Sequence, residues 1–178
     1  MRAFLALPLP DPARDALIRL QTTLPTGRAV PKDNLHLTLA FLAEVPDTVL
    51  ETLHDLLSST RLPAPAITFT GLDTFAEMER GLVYAAVRPD PTLTALHAKT
   101  AQTARKAGIA LPRRRFVPHV TLTRAGAQPK GPARDRLAAA MGTVAAIPGF
   151  TARTLCLYHS TLGPSGARHE VLASYPLG

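Results

Sequence analysis

The chain has 178 residues, of which 46% are hydrophobic, enough to bury the core of one domain, and its formal net charge is +7. No apolar run approaches the ~20 residues that a membrane-spanning helix needs, and the opening resembles a strand rather than a signal peptide, so we expect a cytoplasmic protein with no membrane segment. The single cysteine, Cys156, excludes an internal disulfide and is predicted to be a core residue. The positive charge favours a polyanionic partner such as RNA.

Strand and helix patterns follow one another along the chain. A strand from Arg2 to Leu9 precedes a helix that is capped by Asp11 and runs to about Leu24. The later elements are predicted, in chain order, as a strand at 35–42, a helix after Pro46, strands at about 66–72 and 81–87, a helix from Asp90 to about Lys106, a strand that begins after Pro118, a helix at about 133–141, and strands at about 149–159 and 168–175. A turn at 163–166 separates the last two strands.

This order is a loose internal duplication of strand, helix and strand pairs. It predicts an α+β fold with mainly antiparallel sheets flanked by helices, built as two lobes, about 1–89 and 90–178, related by a pseudo-two-fold. Strands are expected to exchange between the lobes, with the active-site cleft between them. The whole chain, 1–178, is then one domain, and without a long coiled-coil pattern we expect a monomer.

Two matched stretches carry the chemistry-bearing residues: His36-Leu37-Thr38-Leu39 and His119-Val120-Thr121-Leu122. Because successive side chains of a strand point to opposite faces, His36 and Thr38 share one face and leucines the other. His119, Thr121 and Thr123 repeat the pattern. Two such strands that face each other would place two imidazoles and two hydroxyls around one small anion.

Three of the other histidines, His54, His97 and His159, are predicted to lie outside this site. His159 begins a third His-x-Thr, but alternation places it on the face of the leucines beside it, so we interpret it as a strand-end residue. His54 and His97 are interpreted as ordinary helical residues. A single histidine on a half-exposed strand is most simply a hydrogen-bonded structural residue, and only the matched pair favours a function.

Two arginines and two phenylalanines lie near the motifs. Arg115 has the parity of His119 and would reach the same cleft if Pro118 does not break the strand. Arg124 falls on the opposite face unless the strand bends or ends. Phe41 and Phe116 have the opposite parity to the histidines, so core packing is favoured over stacking on a base.

The chain resembles the 2H phosphoesterases, and within them the RNA 2′,3′-cyclic phosphodiesterases, also called 2′-5′ RNA ligases. The resemblance covers nearly the whole chain and is carried by four segments: the opening 1–6, 34–42 with the first motif, 116–124 with the second motif and Arg124, and the closing run from 157 to 172. Ala43 stands where a glycine is usual. His169 stands where a tyrosine is expected, which puts an aromatic contact from that position in question.

The resemblance implies metal-independent hydrolysis of RNA 2′,3′-cyclic phosphate ends to 2′-phosphomonoesters, with reverse 2′-5′ ligation and no cofactor. His36 would be the proton donor and His119 the proton acceptor, which suits imidazoles with an ordinary pKa near 6.5. Thr38 and Thr121 would bind the phosphate oxygens, with Arg115 and Arg124 as RNA contacts.

Two alternatives remain open at this point. The first is a non-catalytic module that binds RNA or nucleotides, which would need the cations and hydroxyls but not two opposed imidazoles. The second is a phosphodiesterase for small cyclic nucleotides, against which the positive charge of the chain argues weakly.

Overall fold

The computed structural model of the chain describes residues 1–25, 27–74, 82–112, 114–124, 129–142, 146–164 and 166–178. The helices in these ranges are α1 Asp11–Gln21, α2 Asp47–Ser58, α3 Pro91–Lys106 and α4 Pro132–Gly142. The strands are β1 Arg2–Pro8, β2 Arg28–Ala29, β3 His36–Glu44, β4 Ala66–Ile67, β5 Phe69–Thr74, β6 Val83–Val87, β7 His119–Thr121, β8 Thr123–Arg124, β9 Phe150–Thr151, β10 Thr154–Gly163 and β11 Gly166–Pro176. The α+β class is confirmed.

The helices begin and end close to the positions that their local sequence predicts. The Asp90 carboxylate accepts a hydrogen bond of 3.0 Å from the backbone N–H of Leu93 and so caps α3, which ends just before Gly108 at a φ of 90°. Asp11 is the first residue of α1 rather than its cap, because the backbone turns helical after Pro10, and its carboxylate pairs instead with Arg14 at 2.8 Å.

One antiparallel sheet of seven strands organises the described chain, in the order β11-β10-β1-β3-β7-β6-β5. The two histidine strands, β3 and β7, are therefore neighbours in one sheet, with Leu37 opposite Val120, whereas the sequence predicts that they face each other across a shared cleft. Strands that precede residue 89 pair with strands that follow it: β1 pairs with β10, and β6 pairs with β7. A division into two lobes at that point stays a prediction.

The hydrophobic core lies on one face of this sheet, beneath the helices. Leu37 and Val120 are fully buried, and they belong to the same cluster as the buried leucines of α1, α2 and α3. Phe116 packs against this cluster, as predicted. Because side chains alternate along a strand, the residues beside Leu37 and Val120 point to the other face, away from the helices.

Two irregularities in β3 change which residues reach that other face. Thr38 and Ala40 lie opposite consecutive residues of β1, which leaves Leu39 as an extra residue in β3. The pairing shifts again before Ala43, whose φ of 61° is rare for a residue with a side chain. Each β-bulge reverses the alternation of the residues that follow it.

Phe41 shows the consequence of the first bulge. Uninterrupted alternation along the strand predicts core packing for this ring. In the structure the ring is 57% exposed and lies on the same face as His36, with its centroid 6.0 Å from that of Phe4. The core-packing prediction for Phe41 is wrong, because the extra residue in β3 turns the side chain to the other side of the sheet.

Two short two-stranded sheets and the buried side-chain amide of Gln21 hold the segments around the site in place. β2 pairs with β8, and β4 pairs with β9. The side-chain amide of Gln21 donates to the carbonyl oxygens of Val30 and Leu122 at 2.8 and 2.6 Å and so ties α1 to the segments beside β2 and β8. No helix in the described ranges is both long and apolar enough to cross a membrane.

Candidate active site

The four motif residues lie on the sheet face away from the helices. Continuing the register of Leu37 and Val120 by one residue in each direction places His36 opposite Thr121 and Thr38 opposite His119. Each imidazole thus has a hydroxyl across the strand gap and another two residues along its own strand. Diagonal neighbours in an antiparallel pair are typically about 7–8 Å apart, a separation that fits one small anion between the two rings.

His119 is held by the chain that leads into β7. Its Nδ1 donates a hydrogen bond of 2.7 Å to the carbonyl oxygen of Val117. Because a carbonyl oxygen only accepts, Nδ1 carries the proton, and Nε2 of the neutral ring is left as a lone-pair acceptor. Burial lowers the pKa of His119, the Val117 bond opposes this, and the charge of Arg124 adds to the lowering.

His36 rests on an aromatic floor. Its ring centroid is 4.7 Å from that of Phe4, which in turn stacks on Tyr158 at 4.9 Å. Burial lowers the pKa of His36 to about 3, and the nearby His169 and Arg124 contribute to the lowering. A backbone hydrogen bond with Asn34 opposes it, so both motif histidines bond to the backbone two residues upstream.

A third histidine, His169 of β11, lies beside His36. The two rings meet edge to face with centroids 5.4 Å apart, and His169 makes the same kind of contact with Phe4 at 4.8 Å. The aromatic contact that the departure from tyrosine had put in question is therefore present. Burial and the charge of Arg124 lower the pKa of His169. Only the pairing of β11 through β10 to β1 could have revealed this neighbour.

Tyr84 was also missed by the sequence analysis. It lies opposite Thr121 in the β6–β7 pair, and its ring centroid is 5.0 Å from that of His119. Its hydroxyl donates to a carboxylate oxygen of Asp73 at 3.2 Å, and burial together with this carboxylate raises the pKa of Tyr84 to about 12. Nothing in the local sequence of β6 marks it as a neighbour of the second motif.

The two predicted arginine contacts have different outcomes. Arg124 lines the same cavity as His36, because the main strand ends at Thr121 and β8 pairs with β2 instead. Arg115 lies before the start of β7 and is exposed, and the structure does not place it beside the motif residues. Thr123, which was assigned to the face of His119, is buried, and its hydroxyl accepts a hydrogen bond from the backbone of Val83 at 3.1 Å.

A cavity of about 640 Å³ opens on the His36 side of the motif residues. Phe41, Arg124 and His169 line it, and Arg2 and Arg28 lie at the same cavity. Thr38, His119 and Thr121 are outside its lining. A volume of this size falls in the range of small-ligand pockets, so the cavity can hold a group about as large as a nucleotide.

The remaining histidines lie elsewhere, as expected. His159 is opposite Ala3 on the core side of the sheet, although β10 continues past it to Gly163, so it does not end a strand. His54 is hydrogen-bonded to the hydroxyl of Tyr175 at 3.1 Å, and His97 stacks on Phe116 at 4.0 Å. Within the described ranges, no group of three or more His, Cys, Asp or Glu side chains is arranged to hold a metal ion.

A site of this kind, two imidazoles and two hydroxyls on one sheet face, is suited to acid–base chemistry on an anion. Residues 9–164 match the family model of the 2′-5′ RNA ligase superfamily, and the chain therefore belongs to that superfamily.

Curated relatives and solved structures agree with this assignment. The chain is 28% identical to the RNA 2′,3′-cyclic phosphodiesterase of Geobacillus stearothermophilus over 98% of its length, and it spans 56% of that protein. It is 31% identical to the protein of the same name from Methanothermobacter thermautotrophicus, with 93% of both chains covered. Escherichia coli LigT complexed with 3′-AMP matches with a TM-score of 0.81 at 26% identity, over 99% of this chain and 96% of that one. TT0787 of Thermus thermophilus matches with a TM-score of 0.82 at 26% identity, over 99% of this chain and 98% of that one.

Proposed function

We propose that this chain hydrolyses the 2′,3′-cyclic phosphodiester at the end of an RNA strand to a 2′-phosphomonoester. The names of the curated relatives support the general activity. The observation that carries the proposal is the β3–β7 register, which assigns two histidines and two threonines to one sheet face as diagonal and opposite neighbours. A binding module needs the hydroxyls and the positive charge, but it does not need two imidazoles with the same backbone support.

Thr38, Thr121 and Arg124 bind the phosphate in this proposal. The hydroxyls donate to its non-bridging oxygens, and the guanidinium supplies the charge that stabilises the phosphorane-like transition state as negative charge builds on those oxygens. The two imidazoles supply both proton transfers, so the mechanism requires no metal ion.

We assign the roles of proton donor and proton acceptor from where the nucleotide has room. In-line attack requires water and the leaving oxygen on opposite sides of phosphorus. The cavity lies on the His36 side, so the ribose with its departing 3′ oxygen is placed there and His36 is the proton donor. His119 then removes the proton from water, and the Val117 hydrogen bond suits this role because it leaves Nε2 as the acceptor.

The lowered pKa of His36 adds a step to this mechanism. With a pKa of about 3 in the free protein, His36 is neutral near pH 7 and cannot donate a proton. A bound phosphate places negative charge beside the ring and stabilises the imidazolium, which raises its pKa. Substrate binding is therefore coupled to the uptake of a proton, and the protein should bind its substrate more tightly as the pH falls toward 6.

The same proposal includes a ligation activity and the binding of free nucleotides. If a ribose hydroxyl replaces water as the nucleophile, the cyclic phosphate opens to a 2′-5′ phosphodiester, which is the ligation reaction. Nucleotides that carry a 2′- or 3′-phosphate are products or product analogues of this chemistry and should bind in the same cavity. We propose that the protein acts as a monomer.

Histidine variants test the proposal. His36→Ala and His119→Ala should each lower the rate of hydrolysis of a short cyclic-phosphate RNA by about 10²-fold or more, because each removes one positioned proton transfer. His54→Ala, which alters a histidine on α2 that contacts Tyr175, is the matched control and should keep the wild-type rate. Thermal unfolding of every variant shows whether the fold is retained. Wild-type rates in both folded motif variants would rule out the acid–base assignment.

A further inference from the structure

Three arginines, Arg2, Arg28 and Arg124, line the cavity beside His36. None of the ion pairs formed within the described ranges includes any of them. Among the described residues of the lining, Glu44 is the one carboxylate; it lies opposite Arg2 in the β1–β3 pair and 3.7 Å from the N-terminal ammonium group. Because three arginines and one carboxylate line the cavity, its described lining keeps an excess of positive charge.

The backbone brings two of these arginines together in an unfavourable way. Arg28 of β2 lies directly opposite Arg124 of β8 in an antiparallel ladder. Like charges directly opposite each other destabilise such a pair. Arg2 lines the same cavity as Arg124, and its charge helps to lower the pKa of the Arg124 guanidinium, in addition to the larger effect of burial. A bound anion would relieve the repulsion in both cases.

In the proposed function, one cyclic phosphate with one negative charge is bound by Arg124 and the motif hydroxyls. Arg2 and Arg28 then line the cavity without a role in binding the reacting phosphate. We propose that these two arginines bind a second phosphate, the one on the 5′ side of the reacting nucleotide, so that the site selects oligonucleotide ends over free cyclic nucleotides. This inference rests on the proposed function, because that function places the reacting phosphate at the histidines.

The apolar part of the cavity suits the nucleoside between the two phosphates. Phe41 and Leu162 are 57% and 65% exposed, and both line the cavity. Aromatic side chains with a free face commonly stack on the bases of single-stranded nucleic acids. The cavity thus offers an apolar surface for a base and cations for two phosphates.

Calorimetric titration with two product analogues tests the second phosphate site without requiring turnover. Adenosine 2′,5′-bisphosphate should bind the wild-type protein about 10- to 100-fold more tightly than adenosine 2′-monophosphate, as expected for one additional charge-assisted contact. Arg28→Gln should reduce this preference to about threefold or less. The matched control, Arg153→Gln, changes an exposed arginine outside the cavity and should retain the full preference.

Equal affinities of the wild-type protein for the two ligands, or an equal loss of preference in both arginine variants, would overturn the second phosphate site. The companion experiment compares the hydrolysis of a cyclic-phosphate dinucleotide with that of a 2′,3′-cyclic mononucleotide lacking a 5′ phosphate. Faster hydrolysis of the dinucleotide, with the advantage lost in Arg28→Gln, supports the inference. If neither substrate is hydrolysed while the Arg28-dependent preference for the bisphosphate persists, the proposed activity fails and the second phosphate site stands.

Discussion

Arg124 acts on every histidine of the candidate site. Its charge lowers the pKa of His36, His119 and His169, in each case in addition to the larger effect of burial. In the proposed mechanism the same charge attracts the substrate phosphate. Arg124 would then both favour phosphate binding and keep the unliganded histidines neutral, so that the imidazolium forms only when an anion is present to stabilise it.

Replacing Arg124 tests both effects in one experiment. Arg124→Gln should lower kcat/KM by about 10- to 100-fold, because a charge-assisted contact to the phosphate is lost. It should also move the pH profile of kcat/KM to higher pH, because removal of a nearby positive charge raises the pKa of His36 and of His119. The measurement is kcat/KM from about pH 3 to pH 9 for the wild type and the variant, a range that includes the lowered pKa of His36.

Arg153→Gln serves again as the control and should leave the profile in place. A profile of Arg124→Gln that falls in height but keeps its pH limits would mean that Arg124 binds phosphate without acting on the histidines. A shift to lower pH would contradict the electrostatic account of the site.

At the scale of single residues, the local sequence predicts the motif side chains and little else of the site. His36, Thr38, His119 and Thr121 can be found because alternation within a few residues assigns them to one face. His169 could not be found in this way, since it reaches His36 only through the pairing of β11, β10, β1 and β3. Tyr84 likewise depends on the register between β6 and β7, which no short stretch of sequence encodes.

Among the elements, β3 contributes most to the site and shows where pattern reasoning ends. A strict alternation along 36–44 would bury Phe41 and expose Ala40, whereas Ala40 is 8% exposed and Phe41 is 57% exposed. A β-bulge inserts one extra residue into a strand and so shifts the register by one, and the pattern of apolar and polar side chains does not reveal where it lies. Helices were predicted more accurately, because prolines and glycines mark their ends in the sequence itself.

The second bulge of β3 leads to a prediction on stability. Ala43 has a φ of 61°, which a side chain disfavours and which glycine adopts freely. Ala43→Gly should therefore stabilise the fold by about 1 kcal/mol and raise Tm by about 2–4 °C. The matched control is Ala40→Gly in the same strand, which has no positive φ and should lower Tm. Thermal unfolding of the three proteins measures both effects, and a lower Tm for Ala43→Gly would contradict the bulge geometry.

For the whole molecule, the topology places residues from distant parts of the chain around one cavity. Phe4, His36, Arg124 and His169 come from four separate strands and meet because β1 and β3 pair with each other and with strands from the other end of the chain. The loose duplication in the sequence predicts two lobes, and that division stays a prediction, although strands that precede residue 89 do pair with strands that follow it. It could not show that the two histidine strands are neighbours in one sheet, since that depends on the pairing of Leu37 with Val120, two residues far apart in sequence.

The net charge of +7 and the arginine-lined cavity predict a strong dependence on salt. Each phosphate contact with a single strand should lower affinity by roughly threefold between 50 and 200 mM NaCl. The kcat/KM for an oligonucleotide end should therefore fall more steeply with salt than that for a cyclic mononucleotide. Steady-state kinetics across this range, with both substrates, measure the difference. Identical salt dependence for the two would argue against contacts beyond the reacting phosphate.

In the proposed mechanism, two histidines open a 2′,3′-cyclic phosphate at an RNA end without a metal ion, and His36 lies beside the departing 3′ oxygen. The most direct test is to incubate the folded protein in EDTA with a short RNA that ends in a 2′,3′-cyclic phosphate and to identify the terminal phosphate by ³¹P NMR. We expect complete conversion to the 2′-phosphate, unaffected by the chelator. Unchanged RNA, a 3′-phosphate, or activity that returns only when a divalent metal is added would contradict it.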